Sequence, residues 1–336
     1  MRPARLLAAV LADPQRAPPL SAEGWQGLLT TARAELLLGS LAHRLHGLAV
    51  PPAAAAILDD ARRAAAQGRV QALWEAEMAR RALAPLGCPV VLLKGAAFVA
   101  AGLSAGQGRS IGDLDILVPR ESLDAVEAAL IAAGWEWVKP DPYDDLYYRR
   151  WMHELPPLTH PARDRMIDVH HSILPLTARQ TPDAAALIAD AAPLANGLRI
   201  LSAEDMLLHA VAHLFADGDL AGGLRNLWDI DRLLRDHGDT PEYWPALAER
   251  ARRHGLSAHL ARALRLTARI FETPVPPETL ARGRPADRLY ARRLLARDGW
   301  GRETRKGLRL AFYIRSHWIR MPPLLLARHL LAKARR

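Results

Sequence analysis

Three aspartates have the types and spacing to hold divalent cations. Asp113 and Asp115 lie in the run Arg109-Ser110-Ile-Gly112-Asp113-Leu-Asp115-Ile-Leu-Val118. In a strand, residues i and i+2 share a face, about 6–7 Å apart. Two carboxylates so placed can share Mg²⁺ at ~2.1 Å each. Without a cation or a basic neighbour they repel each other. Leu114, Ile116 and Val118 supply the opposite, buried face. A second run, Met166-Ile-Asp168-Val-His170, offers a third carboxylate. Three such groups make a two-metal site for in-line phosphoryl transfer, one ion activating the attacking oxygen and the other holding a triphosphate. Asp113, Asp115 and Asp168 are therefore the expected metal ligands and catalytic residues, with Mg²⁺ or Mn²⁺ as cofactor and an NTP as substrate.

The triphosphate needs its own partners. Lys94-Gly95 ends the apolar run Val90-Val-Leu-Leu and precedes a helix. A glycine there lets backbone approach a phosphate, and a helix start offers free N–H groups. The chain has 41 Arg and only 4 Lys, so a retained Lys94 points to a specific role. Arg109 and Ser110, just before the Asp strand, are placed to reach the same phosphates. His170 and His171 alternate faces, and His170 is taken to line the cleft. Plainer readings stand beside these. Asp113 and Asp115 could be solvated acids at a strand end, which the apolar Ile116-Leu117-Val118 argues against. Asp168 could pair with Arg163 or Arg165, Lys94 could face solvent, and Arg109 could orient Asp113 or Asp115.

The elements that must position these groups change character twice. Residues 1–86 are rich in Ala, Leu and Arg at helical spacing, and Pro51-Pro52 splits them into at least two helices. Residues 87–201 alternate strands and helices. Strands are expected at 90–93, 111–118, 135–138, 147–155, 166–170 and 198–201, with helices at 96–103 and 122–134. From Ser202 onward the chain reads as helices, at about 203–216, 224–237, 242–254, 257–271, 286–297 and 305–333. The fold class is α+β: a small mixed-sheet core (87–201) between an N-terminal helical region (1–86) and a C-terminal helical domain with a basic tail (202–336).

At this point the chain resembles the nucleotidyltransferase superfamily typified by DNA polymerase beta. It resembles more closely the bacterial uncharacterised nucleotidyltransferase family, often seen beside polysaccharide-synthesis genes. The matching residues are Leu93-Lys94-Gly95, Arg109 through Asp115, and Ile167-Asp168-Val169-His170. The segment from His153 to His160 and the helical stretch from Leu201 to Asp231 are similar too. The likeness covers roughly residues 90–270. It implies metal-dependent transfer of an NMP from an NTP, ATP among them, to an acceptor with release of pyrophosphate. The acceptor could be a sugar, a metabolite, a protein side chain or a tRNA end. One departure stands out: the usual Gly-Ser phosphate pair is Lys94-Gly95 here, and the gap to Asp113 is longer. NTP use thus rests on the carboxylates more than on the phosphate loop. That keeps open a catalytically inactive module that senses nucleotide or docks partners.

Other motifs read as structural. His209 and His213 have the i, i+4 spacing of zinc ligands, but Ala210 takes the place of the metalloprotease glutamate, so they are expected on a core-facing helix. Asp229 and Asp231 repeat the Asp-x-Asp spelling inside a helix, where i and i+2 point apart. They are expected as surface acids paired with Arg225, Arg232 or Arg235. The single cysteine, Cys88, excludes a disulfide framework and a Cys-based zinc site. The net charge of +9 is uneven. Residues 281–336 hold 16 basic against 3 acidic side chains, leaving 29 against 33 before them. This tail has three readings: a solvated helix face, a site for RNA (hence an RNA-binding regulator), or an anionic membrane contact through an aromatic-bearing amphipathic helix. No uncharged stretch exceeds the one from Gly95 to Gly108, so no membrane span is expected. The start of the chain lacks the apolar core of a secretion signal. A cytoplasmic protein is expected, with its tail able to meet the inner membrane face.

Overall fold

A computed structural model describes residues 3–320. Helices Pro3–Ala12, Ala22–Ala34, Leu38–Arg44 and Pro52–Leu83 build the N-terminal region. The hydroxyl of Ser21 caps the second by accepting from the Gly24 N–H at 3.3 Å. Pro52 opens the 32-residue helix, where a missing N–H costs nothing.

Seven short strands follow: β1 (Val91–Leu92), β2 (Asp113–Leu117), β3 (Glu136–Trp137), β4 (Leu158–His160), β5 (Arg165–His170), β6 (Ala192–Pro193) and β7 (Arg199–Ile200). They form one mixed sheet in the order β3-β4-β5-β2-β1-β7-β6. The β2–β5 and β1–β7 pairs are parallel and the rest antiparallel. The mixed α+β class is as expected. One expected strand is not there: residues 142–151 form the helix Pro142–Trp151. The Asp141 carboxylate accepts from the N–H groups of Tyr143 and Asp144, and Pro142 takes the first helical position. Those two start signals outweigh the strand preference of Tyr147, Tyr148 and Trp151. Strands β4 and β6 fall in stretches where no strand was expected.

The C-terminal helices lie close to their expected bounds: Ala203–Ala212, Gly223–His237, Tyr243–Arg253, Ser257–Phe271, Pro285–Leu294 and Lys306–Arg320. Ser202 caps the first, accepting from the Asp205 N–H at 3.2 Å. The expected continuation of the last helix beyond Arg320, with its Pro322-Pro323 break, lies outside the described residues. One connected apolar core runs from Leu7 to Phe312. No helix among the described residues is long and apolar enough to cross a membrane.

Candidate active site

The parallel pairing of β2 with β5 sets Asp115 directly opposite Asp168, and Asp113 opposite Met166. Strand alternation then puts Asp113, Asp115 and Asp168 on one sheet face. One carboxylate oxygen from each lies within 4.8 Å of the others. Asp115 is buried, Asp168 half-buried and Asp113 exposed, so the cluster opens towards solvent at Asp113. The opposite face carries Leu114 and Ile116, both in the core. The two arginines considered as partners of Asp168 are engaged elsewhere, Arg163 by Glu75 at 2.9 Å and Arg165 by Gln71. Burial, reinforced by the Asp115 and Glu154 carboxylates, pushes the Asp168 carboxyl up to about 7. Its folded value thus exceeds its unfolded value, and ionising it costs stability as pH rises from about 4 to 7. Asp168→Asn is therefore expected to raise the neutral-pH melting temperature of metal-free protein, by on the order of 2 kcal/mol of stability after screening. It should also flatten the decline between pH 4 and 7. Thermal melts in EDTA across that range check this. A variant less stable than wild type at pH 7.5 would contradict it.

Lys94 enters this cluster from the end of β1. Its Nζ lies 2.5 Å from Asp115 Oδ1. Burial works against the ammonium, but the Asp115 charge outweighs it and holds the Lys94 pKa above the usual lysine range. Burial likewise opposes the Asp115 charge, and Lys94 and His170 overcome it, so that carboxyl sits well below its ordinary value. Lys94 has φ +47°, left-handed backbone that a side chain adopts at a cost and that clusters at functional sites. Gly95 is needed for a different reason from the one expected. A Cβ there would collide with the Arg109 guanidinium and press on Ile111. The close approach at Gly95 is thus by Arg109.

Arg109 is buried, lies over the Phe98 ring at 5.4 Å and donates to Asp229 Oδ2 from Nε at 3.1 Å. Its carboxylate partner is Asp229 rather than Asp113 or Asp115. Asp229 and Asp231 are buried, not surface acids. The helix Gly223–His237 is buried on more than one side, so Asp229 meets Arg109 while Asp231 meets Arg232, Arg235 and the Thr273 hydroxyl. Ser110 is exposed, and its carbonyl accepts from Arg225 Nη1 at 3.3 Å. The loop that carries it is fixed at Gly108, whose φ of +67° and contact with the Gly39 backbone leave no room for a Cβ.

His170 is 2 % exposed. Its Nε2 lies 3.0 Å from Asp115 Oδ1 and its Nδ1 3.3 Å from Glu154 Oε2. Burial opposes its charge, yet the bond to Asp115 and the Glu154 charge hold its pKa above normal. It lies behind Asp115 rather than at an open phosphate site. Across the cluster, His209 and His213 face the Lys94 side in a cleft with Arg225 and Asn226. Burial, then the Lys94 charge, keeps both neutral, His213 at about 3.

The profile of a family described as "Uncharacterised nucleotidyltransferase" matches residues 21–272, which is 252 of the 336 residues. The chain belongs to this uncharacterised nucleotidyltransferase family. No curated protein matches it. The match takes in every strand of the sheet and all three aspartates, and it ends one residue after the helix Ser257–Phe271. The structure adds three residues to the surroundings of the aspartate cluster: Glu154, Arg225 and Tyr148. Glu154 reaches His170 because residues 153–155 run antiparallel to the end of β5. The His153-Glu154 spelling beside a pairing strand was the available signal. Arg225 had been assigned only to the helix acids. Tyr148, on the helix misread as a strand, stands near Glu154 and Asp168, and burial with those charges pushes its hydroxyl up to about 12.

Proposed function

We propose that the protein moves a nucleoside monophosphate from an NTP to an acceptor hydroxyl or amine, releasing pyrophosphate. The observation that carries this reading is the convergence of Asp113, Asp115 and Asp168 within 4.8 Å on one sheet face. An all-oxygen donor set fits Mg²⁺ or Mn²⁺, which these three residues would hold, supplying Lewis acidity and offsetting phosphate charge. The acceptor attacks the α-phosphorus as the bond to the β-phosphate oxygen breaks, and pyrophosphate leaves with that electron pair. Asp168, half-buried opposite Asp115, takes up the acceptor proton. Lys94 releases Asp115 and pairs with phosphate oxygens. Arg225 and Ser110 add contacts, and Arg109, held by Asp229, supports the Gly95 turn beneath them.

The test is pyrophosphate release from each NTP with Mg²⁺, in the presence of sugars, small amines, protein extracts and tRNA in turn. Release that depends on one acceptor and stops in EDTA supports the reading. One contact favours a second reading, a nucleotide-sensing or partner-binding module without turnover. The Lys94 ammonium already occupies an Asp115 oxygen that a cation would need. NTP binding without release under any acceptor would select it.

The basic C-terminal segment is a further element to test. In Lys306–Arg320, Phe312 packs on Tyr290 and Arg315 donates to the Phe215 carbonyl at 2.8 Å, while Leu310, Tyr313, Ile314 and Trp318 are exposed. Phe312 therefore anchors this helix to the core, and a truncation should begin after Arg320. Removing residues 321–336 deletes four Lys/Arg and is expected to lower binding to RNA or anionic vesicles, with a shallower salt dependence, while leaving transfer to a small acceptor intact. A filter-binding and vesicle-sedimentation series in salt checks this.

A further inference from the structure

We propose that His153, Glu154 and His170 form a second metal site, of the four-coordinate zinc class, beside the aspartate cluster and distinct from it. One donor atom from each lies within 4.8 Å of the others. His170 Nδ1 and Glu154 Oε2 are 3.3 Å apart. That is the edge of a tetrahedron with metal–ligand bonds of about 2.0–2.1 Å, roughly 3.3 Å between neighbouring donors. The contact lacks the alignment of a hydrogen bond, so His170 Nδ1 is ion-paired with Glu154 but makes no hydrogen bond. His153 Nδ1 makes no hydrogen bond either. Two buried imidazole nitrogens that make no hydrogen bond, one of them against a carboxylate, ask for an occupant that accepts lone pairs.

The donor set selects the ion. Two imidazoles and a carboxylate suit Zn²⁺ with its fourth position open, whereas the all-oxygen aspartate cluster suits Mg²⁺. Glu154, with a fifth of its side chain exposed, gives the ion a way in. Backbone fixes the cluster: the His171 N–H donates to the His153 carbonyl at 2.8 Å and the Leu155 N–H to the Val169 carbonyl at 2.9 Å. The site also has an outer partner. A metal on His170 Nδ1 leaves the proton on Nε2, which then donates to Asp115 at 3.0 Å. His170 thereby becomes a positioning residue for Asp115. This last link rests on the transferase reading, but the metal site does not.

The test uses full-length protein stripped with chelator and titrated with Co²⁺, followed by visible absorption. Four-coordinate cobalt absorbs strongly, whereas six-coordinate cobalt at an all-oxygen site absorbs weakly. The expected result is roughly one strongly absorbing Co²⁺ per chain, displaced by Zn²⁺. Asp113→Asn should retain these bands, and His153→Gln should lose them. Glu154→Gln serves as the second variant should His153→Gln not melt cooperatively. Asp115→Asn should weaken cobalt binding about 10–100-fold, as loss of an outer partner does. Only weak bands in wild type, or strong bands unchanged in a folded His153→Gln or Glu154→Gln protein, would overturn the proposal. Strong, variant-sensitive bands in a protein that binds no NTP would uphold the metal site and sink the transferase reading.

Discussion

Asp115→Asn is expected to lower NMP transfer about 10³-fold or more, the scale of losing several kcal/mol of metal-borne stabilisation of the transition state. Asp115 occupies the centre of the site: it faces Asp168 across β2 and β5 and binds both Lys94 and His170. Its neutral amide would weaken cation binding and leave Lys94 without its closest counter-charge. Turnover should fall far more than any rise in KM for the NTP. Asp113→Asn, at the exposed end of the same face, should lose activity to a similar degree with less effect on stability, because no buried partner is stranded. Steady-state pyrophosphate release beside thermal melts separates the two effects. Wild-type turnover in either variant would remove the aspartate cluster from the chemistry.

The second large effect concerns the buried pair beneath the site. Arg109 and Asp229 are 7 % and 5 % exposed at the side chain and 3.0 Å apart. Removing one partner strands a buried charge, so Asp229→Ala is expected to destabilise the protein by about 3–5 kcal/mol. Replacing both, as Arg109→Met with Asp229→Leu, should restore much of that stability. It should not restore activity, because the guanidinium also fills the space that Gly95 leaves open. A double-mutant cycle in urea, with activity measured on the same samples, checks both halves. Single variants within 1 kcal/mol of wild type, or full activity in the double variant, would refute the assignment.

The chain's periodicities made the α+β class readable, and the reason is local. Ser202 capping Ala203–Ala212 and the proline pair opening Pro52–Leu83 act within one helical turn. Asp113 and Asp115 were legible as a pair because the β-strand period of two forces i and i+2 to one face. The register that sets Asp115 opposite Asp168 was not legible, since β2 and β5 are far apart in sequence. Nor was the partner of Arg109, which comes from a helix 120 residues downstream. The misread helix Pro142–Trp151 shows aromatic strand preference losing to an Asp-Pro start. The burial of Asp229 and Asp231 shows helix packing overriding the expectation that charges face solvent. His170 was expected to line the cleft; its buried place behind Asp115 depends on two neighbours, Asp115 and Glu154, that only folding brings to it.

In the proposed reaction the three aspartates bind an NTP through divalent metal. The measurement that tests it most directly is calorimetric titration of each NTP into metal-free protein, in Mg²⁺ or Mn²⁺ and then in EDTA. The Asp113→Asn/Asp115→Asn double variant runs in parallel. At least one NTP should bind wild type only with metal present, and the double variant should bind none. Binding of equal strength in EDTA or in the double variant, or no NTP binding under any metal condition, would contradict it.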